Sequence, residues 1–526
     1  MSKQNSNHRA AWSAVGAAIV LAASFALLAP QAVAQSASGS GSSDADVRRY
    51  IGELGDTFRY VLQNYVDQPD AKALYEGAMK GLFESLGDPY SYFLDEASLS
   101  DMTDITSGQF GGVGLYIDKQ AKDPKKPDDQ SLYIEIVSPI EGTPGAKYGL
   151  QPGDLITKID GEDTSPMSSS QAQGKIRGKE GSTVTLSIRR GEADFDASLV
   201  RAVIEIPTVK SALIPTPTGN VAYLRIIEFT AATETAFADA VKSFDKAGYR
   251  ALIIDVRNDG GGLLQAVIGV ADDLLDSGVI VSTKGRNPFE NSVNRAGPDL
   301  LVPKDKPIIL LMNKGSASAS EILAGALKDN KRAYLVGENS FGKGSVQQIF
   351  PIDSTGYRMT TARYYTPSDE NINKTGIPPD LEIKDPALTN EQSAVLAKLI
   401  DSAKIEDFAK AHPDASVTER DAFAASLEKD YPMPERVLEI LVKNQLGRSK
   451  PDPVYDLEFD DALNAAIKLV GDPGYASLLA QAKTVKELVE AKKAADPKTQ
   501  GNPQAGQGQQ GDAPTIPSLP APQPKN

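Results

Sequence analysis

The stretch Pro307-Ile308-Ile309-Leu310-Leu311-Met312-Asn313-Lys314-Gly315-Ser316-Ala317-Ser318-Ala319-Ser320-Glu321 passes from an apolar run to a polar turn and then to a helix start. An apolar run bounded by turn residues reads as a strand buried on both faces. Gly315 makes the turn, and Ala319–Lys328 carries a helical pattern. A serine at such a junction presents its hydroxyl at the helix mouth. There the Ala319 N–H and the positive end of the helix dipole face any developing oxyanion. The same letters fit an ordinary capping box, in which Ser318 and Glu321 satisfy end amides. Taken alone, the stretch favours the cap.

Working outward, the texture repeats. Val221–Ile226, Ala251–Val256 and Ala333–Val336 are further short apolar runs, and helical spacing occupies Thr233–Ala247 and Leu263–Leu275 between them. Strands alternating with helices predict a layered α/β core with a partly parallel sheet over residues 206–385. Upstream, 108–205 reads as one small β-rich domain. It opens on glycine-rich Gly108–Gly114, runs through strands Leu115–Ile117, Tyr133–Val137, Leu155–Ile159 and Val184–Arg189, and is punctuated at Gly149–Asp154 and Asp160-Gly161-Glu162. Residues 46–107 and 386–496 read as helical segments, 35–45 as a Ser/Gly linker, and the Gly/Gln/Pro-rich 497–526 as a disordered tail. The expected fold class is multidomain α/β: an α/β core with an inserted β-rich domain and helical N- and C-terminal segments.

Composition removes several chemistries. The 526-residue chain carries a net charge of −15, which repels phosphate backbones and argues against nucleic acid as a partner. It has no cysteine, so disulfides, thiolate nucleophiles, Cys-ligated zinc and a lipid-anchor cysteine are excluded. No metal or cofactor is expected. Lys3, His8 and Arg9, the apolar run Ala10–Ala29 and the small-residue site Ala32-Val33-Ala34 form a secretory signal over 1–34, with an uncleaved membrane anchor as the alternative. Of the two histidines, His8 lies in that leader, and His412 lies in a polar helix-to-loop stretch. A nucleophilic hydrolase of this composition should take its base from lysine.

Two glycine-rich segments bear on that. Asp255-Val256-Arg257-Asn258-Asp259-Gly260-Gly261-Gly262 is a strand end whose glycines let the backbone approach a ligand and aim amides at an anion; a tight strand-to-helix turn is the plainer reading. Gly337–Ser345 nearly matches a phosphate-binding loop. However, Gly344 stands where a hydroxyl residue must follow the lysine, and Ser345–Pro351 reads as a strand rather than a helix. Lys343 is left wedged between glycines. Burial there lowers a lysine from ~10.4 toward the ~7–8 at which it deprotonates a serine.

Together, Gly315–Glu321 and the Lys343 of Phe341-Gly342-Lys343-Gly344-Ser345-Val346-Gln347 closely resemble the carboxyl-terminal processing (tail-specific) peptidases. The resemblance covers roughly residues 46–385. It implies Ser318 as nucleophile, Lys343 as general base and Gln347 as the residue that orients the lysine. It places the oxyanion on the amides of Ala319 and Gly261, with Gly262 the close alternative. The turn departs from the family, which more often has asparagine where Asp259 stands. The β-rich segment resembles a circularly permuted PDZ domain. By that likeness Gly112-Val113-Gly114-Leu115 grips a peptide carboxylate and Arg177 couples peptide binding to activation. The family further implies protein substrates with exposed C-terminal tails, a periplasmic location, homo-oligomers and a helical-repeat adaptor, often a lipoprotein. Two rivals stand beside it: a PDZ scaffold that holds tails without cutting them, and a Ser–His hydrolase using His412.

Overall fold

The computed structural model describes residues 43–495, apart from 120–132, 141, 192, 206, 385, 387 and 448–452. The leader expected at 1–34 and the tail expected at 497–526 lie outside the described residues, as does most of the 35–45 linker. The chain divides into two compact units, 1–78 and 79–526. In the first, the helix Asp44–Asn64 opens on a capping box between Ser43 and Asp46 and buries none of its own residues. Among the described residues, no helix is long and apolar enough to cross a membrane.

The second unit is built on a six-stranded sheet. Its strands are β1 (Val209–Ile214), β2 (Val221–Ile226), β3 (Ala251–Asp255), β4 (Ile308–Met312), β5 (Tyr334–Gly337) and β6 (Leu381–Glu382), hydrogen-bonded in that order. The β1–β2 pair is antiparallel and the other pairs are parallel. Every residue of β3 and β4 is buried, as expected where both faces of a parallel sheet are covered. One face carries α1 (Thr233–Ala247), α2 (Leu264–Asp272) and α3 (Ala319–Asp329). In α1 the residues Phe237, Val241 and Phe244 fall on one stripe and enter the core, and the helix stops at Gly248, whose φ of 78° a residue with a side chain rarely adopts.

The opposite face is covered by the C-terminal helices. Ala462, Leu463, Ala466 and Val470 of the helix Asp461–Gly471 pack with Tyr475 on Tyr223, Ile253, Leu311 and Val336. A buried polar chain reinforces this layer. Arg257 donates to Asp255 and to Asp460 at 2.6 Å each, and the Tyr223 hydroxyl donates to Asp255 at 2.6 Å. The segment expected as one C-terminal appendage is therefore two things. Its second part completes the core, whereas its first part forms a helical cluster around Leu399, Leu427 and Leu438.

Of a second sheet, the sequence showed only the strand at Ser345–Pro351. Thr355–Tyr365 pairs with Tyr92–Leu94, Val279–Gly285 and Ser345–Ile352, and Val279–Gly285 also pairs with Ser292–Arg295. The β-rich domain is a separate antiparallel sheet. Its strands run in the order Leu115–Asp118, Ile134–Pro139, Leu155–Ile159, Thr183–Arg190 and Ala193–Val200, around a core that includes Val113, Ile156, Leu186 and Ile188. Its entry strand Gln109–Gly112 pairs with its exit strand Ala202–Glu205, the stalk of an inserted domain.

Candidate active site

The loop after β4 is fixed from both sides before it reaches Ser318. The Ser316 hydroxyl donates to the Val256 carbonyl at 2.7 Å, the Ala317 N–H donates to the Asp259 carbonyl at 3.0 Å, and the Ser320 hydroxyl donates to that same carbonyl at 3.0 Å. Asn313 accepts from the Asn258 N–H and donates to the Asn258 side chain, each at 2.9 Å. The backbone between these ties is forced. Ser318 has φ 56° and ψ −111°, a region that costs a residue with a side chain about 1–3 kcal/mol. The chain itself supplies the comparison. Ser43, Ser168, Thr389 and Ser416 cap helices with φ between −76° and −64° and ψ between 154° and 167°. A cap needs no strain; a hydroxyl thrust out of a strand-to-helix elbow does.

Glu321 does more than close a capping box. Its buried carboxylate accepts from the N–H groups of Ser318 (2.9 Å), Gly342 (2.8 Å) and Lys343 (2.9 Å) and from the Ser340 hydroxyl (2.5 Å). Burial raises its pKa, and those hydrogen bonds oppose the rise. One side chain thus holds the Ser318 turn and the Lys343 loop in register. Glu321→Ala orphans these donors, and a buried unsatisfied donor costs about 1–3 kcal/mol. We expect urea melts to show a loss of at least about 3 kcal/mol, and peptidase activity to fall more than the folded fraction does.

Lys343 is half-buried, and its ammonium lies 5.0 Å from the centroid of the Tyr90 ring. Burial lowers its pKa, the Arg358 charge adds to this, and Glu321 and Asp88 oppose it; the result is about 8. Tyr90 sits on the loop between the helix Ala71–Glu84 and the strand Tyr92–Leu94. That loop is pinned by Asp88, which accepts from the Ser91 and Thr360 hydroxyls at 2.6 Å each.

Gln347 lines the same cavity as Lys343. Lys343 precedes the strand Ser345–Ile352, and a bulge between Val346 and Gln347 resets its alternation. The Gln347 amide donates to Ser345 (2.8 Å) and Thr360 (3.3 Å), and Arg358 donates to its oxygen at 3.3 Å.

Gly261, at φ 104°, lies against the Ser318 turn. A Cβ there would stand 2.8 Å from both the Ser318 Cβ and the Ala319 nitrogen. Its own N–H donates to Asp259 at 2.8 Å. Ala319 is the first residue of α3, so its N–H has no acceptor within the helix. Ser318, Ala319, Lys343, Gln347 and Gly261 line one cavity of about 440 Å³, with Gly262, Arg358 and Tyr364.

The other sequence-selected residues lie in the β-rich domain. Val113 is fully buried in its core, Leu115 packs beside it, and the carbonyls of Val113 and Gly114 accept from Gly145 and Ile140. Gly112 ends the entry strand. The Arg177 guanidinium stacks 4.5 Å over the Phe110 ring of that strand. His412 caps the helix Lys404–Ala411 and lies against Phe408 in the C-terminal cluster, not along this cavity.

Comparison with known proteins places the chain in a family. The family described as Peptidase family S41 matches residues 220–383, the PDZ domain family matches 135–190, and the family described as the N-terminal domain of the activating protease CtpB matches 14–98. A carboxy-terminal-processing protease of Bartonella bacilliformis is 39% identical over 66% of this chain and 77% of that protein. The carboxy-terminal processing protease CtpB of Bacillus subtilis is 34% identical over 68% and 72%. A solved photosystem II D1 C-terminal processing protease is 29% identical, with a TM-score of 0.38 over 63% of this chain and 87% of that one. The chain is a serine-type peptidase with a PDZ domain. It belongs to the carboxyl-terminal processing protease family.

Proposed function

We propose that this peptidase captures the C-terminal tails of exported proteins on its PDZ domain and cleaves them with Ser318 and Lys343. The observation that carries the reading is the strained Ser318 elbow in the same cavity as a lysine whose pKa is drawn down to about 8. Neutral Lys343 takes the Ser318 proton as the hydroxyl attacks the carbonyl, then delivers it to the leaving amine. The Ala319 amide and an amide of the Gly261-Gly262 pair receive the oxyanion. Gln347 acts on the lysine side of the cavity together with Arg358. The leader pattern of residues 1–34 supports a periplasmic location and cell-envelope substrates. Homo-oligomerisation and a helical-repeat adaptor belong to the same reading by resemblance to the family.

The test uses the full chain and a small folded protein bearing an unstructured tail that ends in apolar residues. The tail should be cut, and replacing its last residues with aspartates should slow cleavage at least about tenfold, a modest loss of binding energy. Equal rates for both tails would remove the PDZ from substrate selection. Binding without any cleavage would favour the scaffold.

A further inference from the structure

Asp259 stands where the family more often has asparagine, and it is fully buried. Its Oδ1 accepts the Gly261 N–H at 2.8 Å, and its Oδ2 has no hydrogen-bond partner. Its carbonyl accepts from Ala317 and Ser320, on either side of Ser318. This residue therefore joins the glycine turn to the nucleophile turn, and it carries a carboxyl oxygen that nothing satisfies. A buried, unpaired carboxylate is among the costliest groups in a protein, and such a group takes up its proton instead.

We propose that Asp259 is a positioning residue of the reaction, holding Gly261 against Ser318 as a neutral acid, and that its ionisation shuts the oxyanion side of the cavity. This rests on the Ser318 reading above. The neutral carboxyl gives Gly261 an ordinary hydrogen bond, one that a developing oxyanion can displace. An ionised carboxylate holds that N–H roughly twice as strongly. It also sets a buried negative charge beside the place where the oxyanion forms. The charged groups facing Asp259 are Arg225, on β2, and Glu228, in the turn after it; α3 presents the Ser320 hydroxyl. Burial pushes the Asp259 pKa up to about 8 and Glu228 pushes the same way; the Gly261 hydrogen bond, the nearby Ser320 hydroxyl and Arg225 oppose them. Glu228 is itself raised by burial.

The experiment compares kcat/KM of the full chain and of Asp259→Asn between pH 6 and 10, on the apolar-tailed substrate. Asparagine keeps the acceptor and cannot ionise. The wild-type rate should fall on the alkaline side, and the ratio of rates at pH 9.5 and 7.5 should be at least about tenfold higher in Asp259→Asn, one decade for each unit past a required acid. Thermal melts across the range supply a second readout. Between the unfolded pKa near ~4 and the folded value, the folded carboxyl keeps a proton that the unfolded chain releases, so wild-type stability falls as pH rises. The melting temperature of Asp259→Asn should gain on wild type from pH 5 to pH 8. The same alkaline fall in Asp259→Asn, a wild-type fall that merely tracks unfolding, or a constant difference in melting temperature would each overturn the proposal. A Ser318→Ala control that still cleaved would instead overturn the site on which it rests.

Discussion

Ser318→Ala abolishes peptide cleavage, lowering kcat by about 10⁴-fold or more, the scale seen when a nucleophile is removed from a serine hydrolase. Stability barely moves, by less than about 1 kcal/mol, because a half-buried hydroxyl is exchanged for a methyl-sized side chain that suffers the same backbone strain. Ser318→Gly separates the two readings of the residue. If Ser318 were an ordinary cap, glycine would cost a few tenths of a kcal/mol relative to serine. At φ 56° and ψ −111°, glycine relieves strain, and the variant should be about 1–3 kcal/mol more stable than wild type while as inactive as Ser318→Ala. Burst kinetics on an activated ester, checked beside chemical melts, reads both effects. A Ser318→Ala variant with normal turnover would end the assignment whatever its melting point.

That distinction was not in the letters. A capping serine and an elbow serine are both written Ser-x-x-Glu. What separates them is tertiary: hydrogen bonds from Ser316, Ala317 and Ser320 to the loop after β3, and a glycine whose missing side chain lets that loop close on Ser318. The parallel strands were legible because burial on both faces leaves unbroken apolar runs, as in Ile308–Met312. Most of the second sheet was not. Thr355–Tyr365 is largely half-buried and carries Arg358, Thr360 and Arg363 among its apolar residues, which erases the alternation a strand is read by. Losing that strand also hid Arg358 and the Asp88–Tyr90 loop, so the lysine's surroundings were invisible although the lysine itself was found. Gln347 was placed by the resemblance; the bulge before it, which resets the strand's alternation, appears only in the folded ladder. Asp259 was noticed as a departure in sequence; its unsatisfied oxygen appears only once the loop is folded.

Lys343→Ala should lower kcat/KM by about 10³-fold or more, because it removes the base that both takes and returns the serine proton. The pH profile identifies the group. Only the neutral amine is a base, so the rate should rise about tenfold per unit up to a pKa near 8; in wild type the Asp259 ionisation then turns it over, and in Asp259→Asn it should level. An exposed lysine would extend that limb to about pH 10.4. Lys343→Arg should not rescue, since a guanidinium stays protonated throughout this range. The cause of the low pKa can be tested separately. Burial lowers it first and the Arg358 cation second, so Arg358→Gln removes a repelling charge and should move the rising limb to higher pH. A limb that stays in place when Arg358 is neutralised would leave burial as the whole cause. A wild-type rate that stays flat from pH 6 to 9 would mean that Lys343 does not take the proton, whatever its distance from Ser318.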